Sequence, residues 1–372
     1  MTPAVTAVRM SGAAHRAELP LLVLGPSLGT TAATLWGEAA THLTDAFDVL
    51  AWDLPGHGHN RAVPEEPFDL AALAAGVLSV VDEVLLQRDE VGASFSYAGD
   101  SVGGAVGLQL LLDAPGRVRD AVLLCTGARL GEPAMWRGRA AQVSLSGTQV
   151  LVAGSTERWF APGFADRRPE VASALLRALT ETQDAGYAAV CGALATYDVR
   201  DRLGEIAVPV LAVAGSADPA TPPALLREVA EGVRDGRLVV LDDVAHQAPA
   251  EAPERVARLV REHALGEAPA SPAFTRDFQE LLGESGWEAV RARPGLDRRS
   301  RSLIALTALV ARGHHEQLAA HVRDALREGL TVGELEELLL QTAVYCGVPD
   351  ADAAFRVVQR VVVEGHGPSG PV

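Results

Sequence analysis

The chain of 372 residues contains no lysine, so every one of its 32 basic side chains is an arginine. That absence excludes Schiff-base chemistry on a lysine side chain. Basic residues are also too few to balance 48 acidic ones, and the formal net charge is −16. With nothing to offset repulsion from phosphates, the charge argues against a nucleic-acid partner, although a few local arginines can still hold a small anion. Cysteine is scarce: Cys125, Cys191 and Cys346 stand alone, without a C-x-x-C pair. They are expected to be buried reduced thiols of a cytoplasmic protein, not a disulfide framework or a metal site. No run of about twenty apolar residues is free of charge, and no charged segment followed by a long apolar run opens the chain. No membrane span and no signal peptide are expected.

What the chain does have is apolar content. Hydrophobic residues make up 48% and charged residues 22%, enough for a sizeable core, and the length suggests about two domains. Up to about residue 265, short apolar runs ending in turn residues (19–25, 47–54, 91–99, 118–125, 208–215 and 237–241) alternate with helical patterns such as 70–86 and 225–233. Near-continuous apolar runs suit parallel strands buried on both faces. The alternation predicts a doubly wound α/β sheet, with chemistry at the carboxyl ends of its strands.

One such end carries Gly99-Asp100-Ser101-Val102-Gly103. A strand before it and a small, apolar helix after it make Ser101 a nucleophile on a strand-to-helix elbow, where flanking glycines admit the close approach of neighbouring backbone. Asp218 follows a later strand in Gly215-Ser216-Ala217-Asp218-Pro219, and His246 follows the last one in Asp242-Asp243-Val244-Ala245-His246. The order Ser, Asp, His is that of the α/β-hydrolase sheet. His246 would take the proton of Ser101 and Asp218 would fix the imidazole tautomer. Asp242 and Asp243 are alternative acids, although close to His246 in the chain. The backbone N–H of Val102 and that of Leu28, in the glycine-rich turn Gly25-Pro26-Ser27-Leu28-Gly29-Thr30-Thr31, are the expected oxyanion donors. His57, in Gly56-His57-Gly58, is expected to be scaffold.

Taken together, Ser27-Leu28-Gly29-Thr30-Thr31, Gly56-His57-Gly58, the serine elbow, Ala217-Asp218-Pro219-Ala220-Thr221-Pro222 and Ala245-His246 resemble 3-oxoadipate enol-lactonase, an α/β-hydrolase. Trp136-Arg137, Arg158-Trp159-Phe160, Gly186-Tyr187 and Asp198-Val199-Arg200 resemble the helical cap of that family, and the similarity spans most of residues 15–265. Asp53-Leu54-Pro55 and Gln247-Ala248-Pro249 depart from its usual Asp-Thr-Arg and Leu-Ser-Asn runs, near the triad but not at it. The resemblance implies a hydrolase domain over 1–265 with a cap at about 130–203. In that cap Trp136 and Arg137 are the candidates for walling the pocket and gripping a substrate carboxylate.

Residues 266–273 are small and proline-containing and read as a linker. Beyond them, helical apolar spacing covers 274–282, 300–312, 315–327, 331–346 and 350–363, so an all-α module is expected over 274–372. Arg293-Pro294-Gly295-Leu296-Asp297-Arg298-Arg299, His321-Val322-Arg323, Gly329-Leu330-Thr331 and Val344-Tyr345-Cys346-Gly347-Val348-Pro349 resemble 4-carboxymuconolactone decarboxylase, which shares the alkylhydroperoxidase-like fold. Where peroxide-reducing relatives of that fold carry two cysteines and a glutamate, this chain has His314, Gln317 and Ser302. Without the thiol pair, disulfide-based peroxide reduction is excluded.

The second resemblance implies a decarboxylation that obliges no metal or organic cofactor, with His321 as proton donor or enolate stabiliser and Arg298 and Arg299 positioning carboxylates. Cys346 is expected in the helical core, and Glu334, Glu336 and Glu337 on a solvated face. Together the two resemblances imply one chain for two consecutive steps of aromatic-acid breakdown in the protocatechuate branch, acting on small carboxylated lactones. The rival expectation is a general esterase or lactonase whose helical module serves for oligomerisation. By fold analogy the helical module is in either case expected to self-associate.

Overall fold

The computed structural model describes residues 2–10, 18–267, 295–346 and 348–365, in two compact units, Met1–Pro269 and Ala270–Val372. The first unit is built on a seven-stranded sheet in the order β1-β3-β2-β4-β5-β6-β7. β2 (Leu21–Gly25), β3 (Asp48–Asp53), β4 (Phe95–Asp100), β5 (Val118–Leu124), β6 (Val210–Gly215) and β7 (Gly236–Leu241) run parallel, as their apolar character predicts. Every residue of β2, β3, β4 and β6 is buried. One strand was not legible: β1 (Thr6–Arg9) pairs antiparallel with β3 at the sheet edge. Its four residues are only partly buried and carry no apolar run, which is what an edge position permits.

The crossover helices begin where local chemistry starts them. Thr31 and Thr34 form a reciprocal capping box on α1 (Ala32–Thr41), and Asp69 caps α2 (Leu70–Gln87) through the Ala72 amide, each satisfying helix-end N–H groups that would otherwise lack partners. By length and hydropathy α2 would suit a bilayer, but it packs Leu70, Leu73, Ala74, Val77, Val81 and Leu85 into the core. The expected 70–86 helix is therefore a core element. α3 (Val102–Asp113) is buried from Val102 to Leu112, so its small residues lie against the sheet.

Between β5 and β6 the chain leaves the sheet to form α4 (Pro133–Ser146), α5 (Val152–Trp159), α6 (Phe164–Arg167), α7 (Pro169–Glu181) and α8 (Asp184–Leu194). This cap lies over the carboxyl ends of the strands: a Cβ on Gly186 of α8 would fall 2.6 Å from the Pro55 carbonyl oxygen, in the loop after β3. Only glycine permits that approach. α9 (Pro223–Gly232), α10 (Ala248–Glu251) and α11 (Pro253–Leu265) complete the unit.

The second unit holds α12 (Arg298–Ala311), α13 (His315–Arg327), α14 (Val332–Cys346) and α15 (Val348–Gly365), with no strand among its described residues. Leu306, Val310, Leu318, Val322, Leu335, Leu339, Ala354 and Val358 form its core. α15 starts at Val348, with Pro349 in its first turn, where proline's missing N–H costs nothing. The expected 274–282 helix, most of the linker, Arg293-Pro294 and the Cys346 side chain lie outside the described residues. Cys125 and Cys191 are buried free thiols.

Candidate active site

Ser101 sits on the turn between β4 and α3 with φ 54° and ψ −116°, a conformation that costs energy for a residue with a Cβ and persists only when its surroundings hold it. Here they do. Its N–H donates to the Leu124 carbonyl at 2.9 Å, and its carbonyl accepts from the Thr126 hydroxyl at 2.7 Å. The turn also needs glycine at 99, because a Cβ there would lie 2.4 Å from the Gly103 carbonyl oxygen.

The fold brings the three expected residues together. His246 Nε2 lies 3.0 Å from Ser101 Oγ, and its Nδ1 lies 2.9 Å from Asp218 Oδ2. The other Asp218 oxygen accepts the Ala220 and Thr221 amides at 2.8 and 3.0 Å, and the Thr221 hydroxyl also donates to this carboxylate. Burial acts to raise the Asp218 pKa, but the charge and hydrogen bond of His246, with the Thr221 bonds, outweigh it and hold the carboxyl below its ordinary range. It therefore stays an acceptor for Nδ1–H, leaving Nε2 free to take the serine proton. Asp242 and Asp243 are exposed, and Asp218 takes the position behind the imidazole.

Val102 opens α3 and is fully buried, and Leu28 is 6% exposed in the loop after β2. Neither amide donates to another protein group among the described residues. The loops that carry them are joined, since the Gly103 amide donates to the Pro26 carbonyl at 2.8 Å. His57 is scaffold: it is fully buried, lies 2.9 Å through Nδ1 from the Pro55 carbonyl, and stacks on Tyr187 of the cap. Desolvation pushes its pKa down to about 4, against the raising effect of the Pro55 bond.

The cap differs from expectation in one arginine. Trp136 is buried in the cap and donates through Nε1 to the Leu130 carbonyl. Arg137, however, is exposed to solvent. Arg139 takes the inner position, with its guanidinium 4.9 Å from the Trp136 ring centroid and close enough to Tyr187 to act on its hydroxyl. Residues three apart on a helix share a face and adjacent ones do not, a signal by which Arg139 could have been preferred. Arg158 is the second cation here: burial and then the Arg139 charge lower its guanidinium pKa. Neither Arg139 nor Arg158 forms an ion pair with a carboxylate among the described residues. Both guanidinium groups are half-buried, and their charges act on the Tyr187 hydroxyl.

In the helical unit His321 is half-buried on α13. Arg298 is exposed at the start of α12, and Arg299 is drawn into an ion pair with Glu334, which also accepts the Thr331 amide and hydroxyl. Glu334 is thus a tethered residue, not a solvated one, and Arg299 has a carboxylate of the protein itself as partner. Ser302 donates to Glu328 at 3.1 Å.

Comparison with known proteins agrees with both units. The alpha/beta hydrolase family matches residues 22–259, and the carboxymuconolactone decarboxylase family matches residues 276–360. 3-Oxoadipate enol-lactonase 2 of Acinetobacter baylyi is 31% identical over 239 residues, covering 64% of this chain and 86% of that protein. 4-Carboxymuconolactone decarboxylase of the same organism is 38% identical over 88 residues, covering 24% of this chain and 66% of that protein. The crystal structure of the enol-lactonase from Burkholderia xenovorans LB400 superposes with a TM-score of 0.65 at 30% identity, covering 71% of this chain and 96% of that one. The chain therefore belongs to the alpha/beta hydrolase family and carries, after its hydrolase fold, a helical region of the carboxymuconolactone decarboxylase family.

Proposed function

We propose that the chain performs two consecutive reactions on small carboxylated lactones. The helical unit decarboxylates 4-carboxymuconolactone to 3-oxoadipate enol-lactone, and the hydrolase unit opens that lactone to 3-oxoadipate, within protocatechuate catabolism. The observation that carries this reading is the Ser101–His246–Asp218 constellation, with Nε2 at 3.0 Å from Oγ, in a chain whose other unit belongs to a decarboxylase family.

In the first step the bond between the γ-carbon and its carboxylate breaks and CO2 leaves. The electron pair enters the conjugated lactone as a dienolate, and a proton from His321 is added at carbon. In the second, Ser101 Oγ bonds to the lactone carbonyl carbon and passes its proton to His246, while the Val102 and Leu28 amides hold the oxyanion. The ring C–O bond then breaks, His246 returns the proton to the leaving enol, and the enol ketonises. Water activated by His246 frees the acid from Ser101. The carboxylate that remains on the enol-lactone is held by Arg139 and Arg158, beside Trp136 and Tyr187. No cofactor takes part in these steps.

Two further assignments belong to this reading. The protein works in the cytoplasm, where its free thiols stay reduced. It also self-associates through the helical unit, where Leu340, Val344 and Tyr345 on α14 are 65%, 77% and 84% exposed; a second copy of the chain would cover them. Sedimentation of the full chain as a monomer would remove that assignment.

The experiment for the activities gives Ser101→Ala protein 4-carboxymuconolactone. Enol-lactone should accumulate, whereas the unaltered enzyme should yield 3-oxoadipate and the His321→Ala variant should leave the starting lactone intact. If carboxymuconolactone survives the folded unaltered enzyme, the decarboxylase half of the proposal falls.

A further inference from the structure

Glu251 is the last residue of α10, five positions after the candidate catalytic histidine, and its two oxygens serve two distant segments. Oε1 accepts the Ala245 amide at 3.0 Å and Oε2 accepts the Ala161 amide at 2.8 Å. Ala245 immediately precedes His246, and Ala161 lies just beyond α5 in the cap. The carbonyl of Ala245 is gripped as well, by Cys125 Sγ at 3.3 Å. From the same stretch of cap, the Trp159 carbonyl accepts the His246 amide at 3.1 Å and the Gln247 amide at 3.3 Å. The histidine loop is thus bound to the cap by backbone bonds and by one carboxylate that bridges both.

We infer that Glu251 is a positioning residue, a charged clasp between cap and histidine loop that sets where His246 Nε2 stands relative to Ser101. This inference rests on the serine-hydrolase reading of Ser101. A carboxylate can accept on both oxygens, whereas a carboxylic acid or an amide carries a donor on one side. That donor would meet the Ala161 or Ala245 N–H, and the clasp would open at one end. Burial pushes the Glu251 carboxyl up to about 7, against the amides of Ala161, Ala245 and Gln247 and the His246 charge. The other titratable groups that feel its charge are Asp100, at the end of β4, and Cys125, after β5. The clasp therefore closes as pH rises through neutrality and opens below it.

The test follows phosphorylation of Ser101 by diisopropyl fluorophosphate in the full chain, since this needs the nucleophile and His246 but no particular lactone. An Oγ–P bond forms, fluoride leaves, and the serine proton passes to His246. The rate ratio of unaltered protein to Glu251→Gln should rise from near one at about pH 5 to roughly tenfold at about pH 8. Glu251→Asp, which keeps the charge on a shorter arm, should recover part of that rate. Ala161→Pro, which removes the N–H at Oε2, should reproduce part of the loss and serves if Glu251→Gln does not fold. A ratio that stays constant across pH, or stays at one, overturns the inference. Failure of the unaltered protein to react overturns the serine-hydrolase reading and this inference with it, and that outcome is recognised without any variant.

Discussion

The amide of Gly103 donates to the carbonyl of Pro26 at 2.8 Å, so the first turn of α3 is stitched to the loop after β2. These segments carry the backbone amides of Val102 and Leu28, the proposed oxyanion donors. The contact needs glycine: a Cβ at 103 would lie 2.5 Å from the carbonyl carbon of Gly25 and 2.7 Å from the Pro26 oxygen. Backbone atoms cannot step aside as a flexible side chain can. Gly103→Ala should therefore push the two segments apart, lowering stability by about 1–3 kcal/mol and enol-lactone kcat by roughly 10- to 100-fold. Denaturant unfolding and steady-state kinetics on the same preparation check both.

Asp218→Asn keeps the side-chain shape but allows the wrong imidazole tautomer. Enol-lactone kcat should fall roughly 10³- to 10⁴-fold with KM little changed. Asp242→Asn, in the exposed turn before His246, should leave kcat within about twofold. Equal losses in the two variants would reassign the acid.

Arg139→Gln and Arg158→Gln should each raise KM for the carboxylated lactone by roughly tenfold or more, the scale of one charge-assisted hydrogen bond. Hydrolysis of an uncharged p-nitrophenyl ester should change little. Arg137→Gln, altering an exposed side chain, should behave as the unaltered enzyme on both substrates. A KM effect at 137 and none at 139 would return the carboxylate to the arginine that the sequence suggested.

His57 makes acid stability a readout of the scaffold. Its pKa falls from 6.5 to about 4 on folding because of burial. Between these values the unfolded chain takes up a proton that the folded one refuses, so stability is full above about pH 6.5 and is lost as pH falls towards about 4. The loss amounts to about 3 kcal/mol. His57→Phe, which cannot titrate, should flatten the unfolding free energy across that window. An unchanged slope would show that His57 is not the group responsible.

The arginines of the cap show why part of the site was hidden. Arg137 and Arg139 flank the same stretch of helix, and both belong to a polar sequence without strong apolar periodicity. Which one faces inward depends on the rotation of α4 about its axis, and packing against α8 settles that. Tyr187, whose hydroxyl the Arg139 charge acts on, is 48 positions away from it in the chain. In the helical unit, Arg299 was read as a substrate contact, but the fold supplies Glu334 as its partner. Glu251 offered no signal at all. Its role comes from Ala161, 90 residues distant, and Ala245 meeting at one carboxylate.

The sequence by itself determined the sheet of parallel strands, the order of nucleophile, acid and base at their ends, the elbow glycines and the helical character of the last hundred residues. Each is written in short-range terms: apolar runs, turn residues and small side chains where backbone must pass closely. Only the tertiary structure decided the antiparallel edge strand, the inward arginine and the clasp at Glu251. The last two depend on which surfaces meet when the cap folds back over the strand ends, and a buried charge or amide takes its partner from whatever that closure brings within hydrogen-bond reach.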